Sequence, residues 1–313
     1  MTRTYRQLPG LLAGAVLTVG LTALLLRPVG PRSVLGVFGD LQWPTALPFV
    51  PISLIASGAR AAVYHLVLGG RVGVFGLVPL MWLRALAVDF VPARLGLAAI
   101  PLALRVVWGI ETSSGFGALA GVTVAEFASL GALVLLAASA SPSTTGGLHS
   151  ALIILGFLLV ASLPVAISAS RYAQRLRGRG RIRTACADIA LSVSELSRRS
   201  LLTQVIMWSF TTRLAKYAGL YLLLRAMPVP PLQPLAFLGA ALAAEATTTL
   251  PVQGLAGIGT WEAAWVAATT GLGFSMHDAV LSAFGLHLLV LGWEILLGSA
   301  GLAILMGIGR HHP

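Results

Sequence analysis

The sequence is poor in cysteine and in charged side chains. It has 313 residues with a single cysteine, Cys186, so an intrachain disulfide and a cysteine-based metal cluster are both excluded. Only 10% of the residues are charged, whereas a soluble domain usually has about a quarter. Hydrophobic residues make up 57%, and the mean hydropathy is +0.89. This balance excludes an ordinary soluble domain and indicates an all-α polytopic membrane protein.

Several catalytic signatures are also missing. The sequence has no HExxH, paired CxxC, GxSxG or P-loop motif, so metalloprotease, thiol-redox, α/β-hydrolase and ATPase functions lack their nucleophile, ligands or phosphate cradle. The net charge of +11 would suit nucleic acid, but in so apolar a chain membrane topology explains it better. We therefore expect no cofactor, no metal and no nucleic-acid partner.

Six apolar runs are long enough to cross about 30 Å of hydrocarbon as helices. They cover residues 8–26, 46–68, 116–138, 148–170, 201–224 and 279–308. The first run is longer than the apolar region of a secretory signal peptide, which has roughly 7 to 15 residues. We interpret it as a retained span, and we predict about six full spans in one domain over residues 1–313.

Proline and glycine interrupt two further apolar regions. One is broken by FVPARLG at 90–96, and the other by PVQGLAGIG at 251–259. A non-helical break at bilayer depth must be buried in protein or line a wet cavity, so each region is predicted to be a re-entrant helix pair. With a span on each side of each pair, the two halves predict an inverted repeat, a pattern typical of secondary transporters.

A basic loop sets the predicted orientation. Residues 171–200 contain eight arginines against Asp188 and Glu195, and a cytoplasmic excess of arginine is the usual topogenic signal. If this loop is cytoplasmic and each broken pair enters and leaves on one side, both termini are also cytoplasmic.

Ionisable side chains inside the apolar segments are the main functional signal. Each costs about 2.5 to 3.5 kcal/mol at the bilayer centre even on the lenient insertion scale, so such residues face inward, pair, or line a polar pathway. The acidic ones are Asp89, Glu126, Glu245, Glu262 and Glu294, and the basic ones are Arg60, Arg84, Arg105, Arg213 and Lys216, with Arg94 in the first break. Structural ion pairs and snorkelling to an interface are the alternative explanation for any one of them.

Spacing groups some of these residues. Arg213 and Lys216 are three apart and share a helical face, as do His287 and Glu294 at seven apart. Two cations on one face of a span indicate an anionic headgroup as their partner, because pairing with a single acidic side chain would need only one cation. In the second break, glycines precede a short helix whose free N–H groups favour an anion. Alternatively, Glu262 simply complements the dipole of this helix, which would stabilise the helix by about 0.3 to 1 kcal/mol.

Taken together, these motifs resemble the lysylphosphatidylglycerol synthase transmembrane region, a flippase-like family of bacterial and archaeal membrane proteins. The resemblance rests on GIGTWE at 257–262 after Pro251, on FVPARLG, and on the order of spans from about residue 35 to 307. It implies an integral domain of the plasma (inner) membrane that moves a phospholipid or lipid-linked headgroup between leaflets. A soluble aminoacyl transferase, which follows the membrane part in multidomain relatives, is not expected here. Two departures from the family bear on the substrate. Gly96 is followed by Leu97, where the family commonly has Glu, and the last span contains His287.

We accordingly predict a lipid flippase and not an enzyme, with an anionic phospholipid or a polyprenyl or glycolipid headgroup as its membrane-lipid partner. The predicted substrate-binding residues are Arg60, Arg84, Arg94, Arg213, Lys216, Gly257, Gly259 and Glu262. The predicted residues for charge or proton coupling are Asp89, Glu126, Glu245, Glu294 and His287. A membrane transferase with Glu262 or Asp89 as base, a non-catalytic envelope-assembly partner that docks through residues 171–183, and homo-oligomer formation stay open.

Overall fold

The computed structural model describes residues 8–91, 96–139, 147–175, 189–191, 193–196, 198–247 and 254–310, and within these ranges there is no β-strand. The all-α prediction is therefore confirmed. The helices are α1 Leu8–Leu26, α2 Pro31–Gly39, α3 Trp43–Ala46, α4 Phe49–Val67, α5 Val74–Phe90, α6 Ala99–Trp108, α7 Thr112–Ser139, α8 Gly147–Arg175, α9 Arg199–Ala226, α10 Pro234–Ala246, α11 Thr260–Gly271 and α12 Met276–Arg310.

The apolar runs of the sequence all form helices, and several of these helices are long enough to cross a membrane. Four qualify by length and composition: Trp43–Val67, Thr112–Ser139, Ile153–Tyr172 and Met276–Gly309. A fifth is obtained if Gly14–Leu26 and Pro31–Gly39, bent by 78°, are taken as one broken span. The run at 201–224 lies in α9, where Arg213, Lys216 and several hydroxyl groups lower the hydropathy. The chain is thus a multi-pass membrane protein with four or five candidate spans, and a count of six stays a prediction.

The first interrupted region consists of α5, a break and α6. Residues 92–95, among them Arg94, lie outside the described residues. Where the description resumes, a methyl group on Gly96 would overlap the carbonyl oxygen of Ala87 in α5. Only glycine allows the chain to return this closely against the helix that it has just left.

The second interrupted region is a helix hairpin, because α10 and α11 pack against each other. Between them, residues 248–253, including Pro251, lie outside the described residues, and a 3₁₀ turn at Leu255–Gly257 leads into α11. Both interruptions therefore have the predicted helix, break, helix order. Their re-entrant character and their relation as an inverted repeat stay predictions.

The chain divides into two compact units, each assembled from separate stretches. The first unit draws on Met1–Ile52, Leu86–Gly96 and Tyr217–Ile295. In this unit α1 packs against α11 and against the 3₁₀ turn. The fully buried Trp265 anchors α11, since its ring stacks on Trp261 with centroids 5.4 Å apart and its indole N–H donates to Ser282 Oγ at 3.0 Å.

The second unit draws on Ser53–Ala85, Leu97–Lys216 and Leu296–Pro313. Its core is built by α4, α5, α6 and α7, with Leu77, Leu80, Ile100 and Leu104 fully buried. On the outside of α7, α8 packs closely because Gly131 lies against the backbone of Gly156. Such small residues let membrane helices approach, where the hydrophobic effect gives no drive toward association.

Candidate functional site

Three arginines from three helices of the second unit surround one glutamate. Arg60 of α4 donates from Nε to Glu126 Oε1 at 2.7 Å. Arg84 of α5 brings Nη2 to 3.5 Å from Glu126 Oε2, and Arg213 of α9 brings Nη2 to 3.9 Å from the same oxygen. We call these four residues the arginine cluster. Glu126 itself lies in the middle of α7, so side chains from four helices meet at this carboxylate.

The arginine cluster is buried. The side chains of Arg60, Arg84 and Arg213 are 18%, 14% and 6% exposed, and that of Glu126 is 11% exposed. Buried charges are normally matched by partners, because desolvation of an unmatched ion costs several kcal/mol. The second unit therefore concentrates three guanidinium groups around one carboxylate in its interior.

Tyr64 extends the arginine cluster, and it is a residue that the sequence analysis missed. It lies four residues after Arg60 on the same face of α4 and within electrostatic reach of Arg84 and Glu126. Its side chain is fully buried, and its hydroxyl interacts with the guanidinium group of Arg84. The i, i+4 spacing from Arg60 was the one signal in the sequence that pointed to Tyr64.

The first unit has a separate site around Glu262, at the start of α11. Glu262 is 1% exposed, and its Oε2 accepts the backbone N–H of Gly259 at 2.7 Å. Its Oε1 lies 2.6 Å from Nδ1 of His287 on α12, where a protonated Nδ1 donates. Complementing the first helical turn, the simpler explanation of Glu262, accounts for only one of these two hydrogen bonds. We call Gly257, Gly259, Glu262 and His287 the Glu262 site.

Glycine is required at two positions of the Glu262 site. Gly257 has φ +75° and Gly259 has φ +90°, both in the left-handed region that other residues adopt only with strain. A methyl group on Gly259 would also come within 3.0 Å of Leu21 Cβ on α1, and Gly257 faces the imidazole of His287. The glycines of GIGTWE therefore bring the turn against both neighbouring helices.

Thr18 of α1 holds the break that precedes the Glu262 site. Its hydroxyl accepts the backbone N–H of Leu255 at 2.6 Å and donates to the carbonyl of Gly14 at 2.9 Å. Trp261 covers the imidazole of His287, with ring centroids 5.2 Å apart. Neither Thr18 nor Trp261 was predicted as a site residue, although Trp261 lies inside the GIGTWE motif.

The remaining predicted residues lie on α5, α9, α10 and α12, or outside the described residues. Glu245 of α10 accepts the hydroxyl hydrogen of Tyr217. Asp89 is half-buried near the end of α5 and makes no ion pair within the described ranges. Lys216 is half-buried on α9, and Glu294 is partly buried on α12. Arg94, a predicted phosphate ligand, lies outside the described residues. Where side chains are described, no group of three or more His, Cys, Asp or Glu is placed to hold a metal ion.

Two predicted groupings are thus rearranged. Glu126, expected to act in charge coupling, lies among the arginines expected to bind substrate. His287 and Glu294 share a face of α12, as spacing predicted, but His287 forms a hydrogen bond with Glu262. Arg105, which was counted among the intramembrane charges, is exposed on α6 and donates to Thr112 Oγ1 at 3.3 Å.

The model of one protein family matches most of the chain. It is described as Lysylphosphatidylglycerol synthase TM region, and the match covers residues 11–298. The arginine cluster, Tyr64 and the Glu262 site all fall within this range. No curated protein and no solved structure matches the chain.

Proposed function

The chain belongs to the lysylphosphatidylglycerol synthase TM region family, and on that basis we propose that it is a lipid flippase. It moves an anionic phospholipid or a lipid-linked headgroup between leaflets and does not act as an enzyme. Its place is the plasma (inner) membrane, with both termini in the cytoplasm.

The observation that carries this proposal is the arginine cluster. A lipid headgroup that crosses the bilayer loses its hydration, and an unmatched charge is costly in hydrocarbon. Arg60, Arg84 and Arg213 bring three buried guanidinium groups together, and their positive charge offsets this cost for an anion. The acyl chains stay in the surrounding lipid while the headgroup contacts the arginines.

The two interrupted regions support the proposal. Transporters of inverted-repeat type form their sites from helices broken at bilayer depth. Here α5 and α6 flank one break, and α10 and α11 flank the other. We propose that the two regions are re-entrant pairs related as an inverted repeat, with about six full spans around them.

The Glu262 site is proposed as the coupling element. Glu262 and His287 are joined by a hydrogen bond of 2.6 Å. The same carboxylate accepts the Gly259 N–H, so this contact links α12 to the start of α11. Asp89, Glu245 and Glu294 are further candidates for charge balance, and Lys216 and Arg94 for headgroup contact.

Lipid translocation in liposomes tests the proposed function. The purified chain is reconstituted with a fluorescent phosphatidylglycerol in both leaflets, and a membrane-impermeant quencher is added. We expect loss of fluorescence beyond the outer-leaflet fraction, slower loss for Arg213→Gln, and an unchanged rate for Arg105→Gln, which removes an exposed arginine of the same unit. Protein-free liposomes give the baseline.

The outcome that contradicts a flippase is also defined. If fluorescence stops at the outer-leaflet fraction for phosphatidylglycerol, a polyprenyl phosphate and an anionic glycolipid, the chain does not translocate lipid under these conditions. Equal rates for wild type, Arg213→Gln and Arg105→Gln would separate transport from the arginine cluster.

A further inference from the structure

We infer that Tyr64 is a positioning residue of the arginine cluster, which holds the guanidinium group of Arg84 in the orientation that an anionic headgroup contacts. This role rests on the proposed function, because it applies to the same headgroup site. It adds a neutral side chain to a site that the sequence predicted from its charges.

The ion pair with Glu126 leaves the guanidinium group of Arg84 loosely held. Its Nη2 lies 3.5 Å from Glu126 Oε2, which is longer than the usual distance of about 2.7 to 3.2 Å in N–H···O hydrogen bonds. Arg60, in contrast, reaches Oε1 of the same carboxylate at 2.7 Å. Because an arginine side chain loses much rotamer freedom when it is held in one conformation, so long a contact does not fix it. Another neighbour has to define the orientation of Arg84.

The Tyr64 hydroxyl is this neighbour. It interacts with the guanidinium group of Arg84, and because that group has only N–H donors, the phenolic oxygen is the acceptor. The position of this oxygen is itself fixed, since the Tyr64 side chain is 0% exposed and belongs to the buried core that also contains Leu77 and Leu80. Side chains that are locked by packing are the ones that can hold a binding group in place.

The choice of tyrosine supports a polar role at this position. A phenylalanine would fill nearly the same volume without a polar atom, whereas a buried hydroxyl costs free energy unless it has a hydrogen-bond partner. Tyr64 also lies one helical turn after Arg60, so one face of α4 contacts Glu126 through Arg60 and holds Arg84 through Tyr64. Arg84 is thereby oriented before an anion arrives, which lowers the cost of binding.

Lipid binding by the purified full chain tests this role without any requirement for transport. Native mass spectrometry in detergent measures the apparent dissociation constants of phosphatidylglycerol and phosphatidylcholine, and their ratio gives the anion preference. We expect Tyr64→Phe, which removes only the hydroxyl, to weaken phosphatidylglycerol binding by roughly three- to tenfold and to leave phosphatidylcholine binding unchanged. Tyr221→Phe is the matched control and should keep the wild-type preference, because its hydroxyl donates to the Leu232 carbonyl at 3.1 Å, outside the arginine cluster.

A double-mutant cycle tests whether Tyr64 acts through Arg84. Arg84→Gln should weaken phosphatidylglycerol binding by about tenfold, and adding Tyr64→Phe to it should change the affinity by less than about twofold. A hydroxyl with a purely structural role would lower the stability in SDS but leave the anion preference unchanged. Arg105→Gln, at an exposed arginine of the same unit, controls for the loss of a positive charge.

Arg84→Lys separates position from charge. Lysine keeps the positive charge but lacks the planar fork that contacts Tyr64 and Glu126 together, so this variant should lose anion preference as Tyr64→Phe does. Wild-type preference in Arg84→Lys would show that charge alone suffices, and it would overturn the inference. Since Arg84→Lys leaves the Tyr64 side chain intact, it also decides the question if Tyr64→Phe yields no monodisperse protein.

The inference is also overturned if the wild-type chain has no preference for phosphatidylglycerol, if Tyr64→Phe keeps the wild-type preference, or if its effect is as large in Arg84→Gln as in the wild type. Binding and transport fail separately. A chain that shows the expected preference but translocates no lipid refutes the flippase and leaves the role of Tyr64 intact. A chain that translocates phosphatidylglycerol but binds it without any dependence on Tyr64 refutes this role and leaves the flippase intact.

Discussion

Replacing Glu262 tests the two hydrogen bonds that fix the start of α11. Glu262 accepts from the Gly259 N–H at 2.7 Å and from His287 Nδ1 at 2.6 Å. Side-chain hydrogen bonds in membrane proteins average about 0.6 kcal/mol and reach about 1.7 kcal/mol, and an acidic residue in the first turn adds about 0.3 to 1 kcal/mol. Glu262→Ala loses all three contributions, so we expect the free energy of unfolding to fall by about 2 to 4 kcal/mol.

Glu262→Gln should be milder. Its carbonyl oxygen still accepts from Gly259, and its amide faces an imidazole that accepts at Nδ1 when the proton is on Nε2. Only the charge is lost, so we expect a fall of about 1 kcal/mol. Unfolding by SDS in mixed micelles measures the values, and the fluorescence of Trp261, whose ring is 5.2 Å from His287, reports the local change.

A double-mutant cycle isolates the contact itself. Combining Glu262→Ala with His287→Ala should reveal a coupling free energy of about 1 kcal/mol, because each single change already breaks the shared hydrogen bond. Asp278→Asn, which alters an acidic residue in the first turn of α12 that contacts Ser275, serves as control and should change stability by less than about 0.5 kcal/mol. A coupling free energy indistinguishable from zero would refute the assignment of Glu262 and His287 as partners.

Three further predictions concern backbone and packing. Gly259→Ala should lower the free energy of unfolding by about 1 to 3 kcal/mol, because φ is +90° and Leu21 is near. Gly271→Ala, with open space around the residue, is the control and should leave stability unchanged. Equal SDS midpoints for the two variants would contradict a strained turn at Gly259. Gly131→Leu should separate α7 from α8 and lower the SDS midpoint, and a wild-type midpoint would show that the close approach is not needed. Tyr217→Phe should lower the free energy of unfolding by about 0.6 to 1.7 kcal/mol, because it removes the hydrogen bond to Glu245, and SDS titration resolves a change of this size. An unchanged midpoint would show that this hydrogen bond does not contribute to stability.

Helix positions were predictable because the length of each apolar run can be read from the sequence. The run at 8–26 coincides with α1, and the runs at 116–138 and 148–170 lie inside α7 and α8. Proline and glycine marked both interruptions for the same local reason. The bend of 78° between α1 and α2 was not foreseen, although Pro28, Gly30 and Pro31 mark the turn.

Partner choice between distant helices was not predictable. Glu126 is the one charged residue of α7, and its neighbours are so uniformly apolar that no amphipathic stripe indicates the direction in which it points. Its partner Arg60 lies 66 residues earlier. Likewise the sequence grouped His287 with Glu294 by helical spacing, whereas the packing of α11 against α12 brings Glu262 to it. Tyr64 was missed because a tyrosine in an apolar helix resembles ordinary core.

The same distance between Arg60 and Glu126 has a consequence for biosynthesis. At ribosomal rates of about 5 to 20 residues per second, Arg60 is made roughly 3 to 13 s before its carboxylate partner exists. Arg84 also precedes Glu126, so two guanidinium groups reach the insertion machinery without the anion that later matches them. Because each costs about 2.5 to 3.5 kcal/mol in hydrocarbon, α4 and α5 gain from staying beside the translocon until α7 arrives. We therefore expect α4, α5 and α7 to enter the membrane together and not one after another.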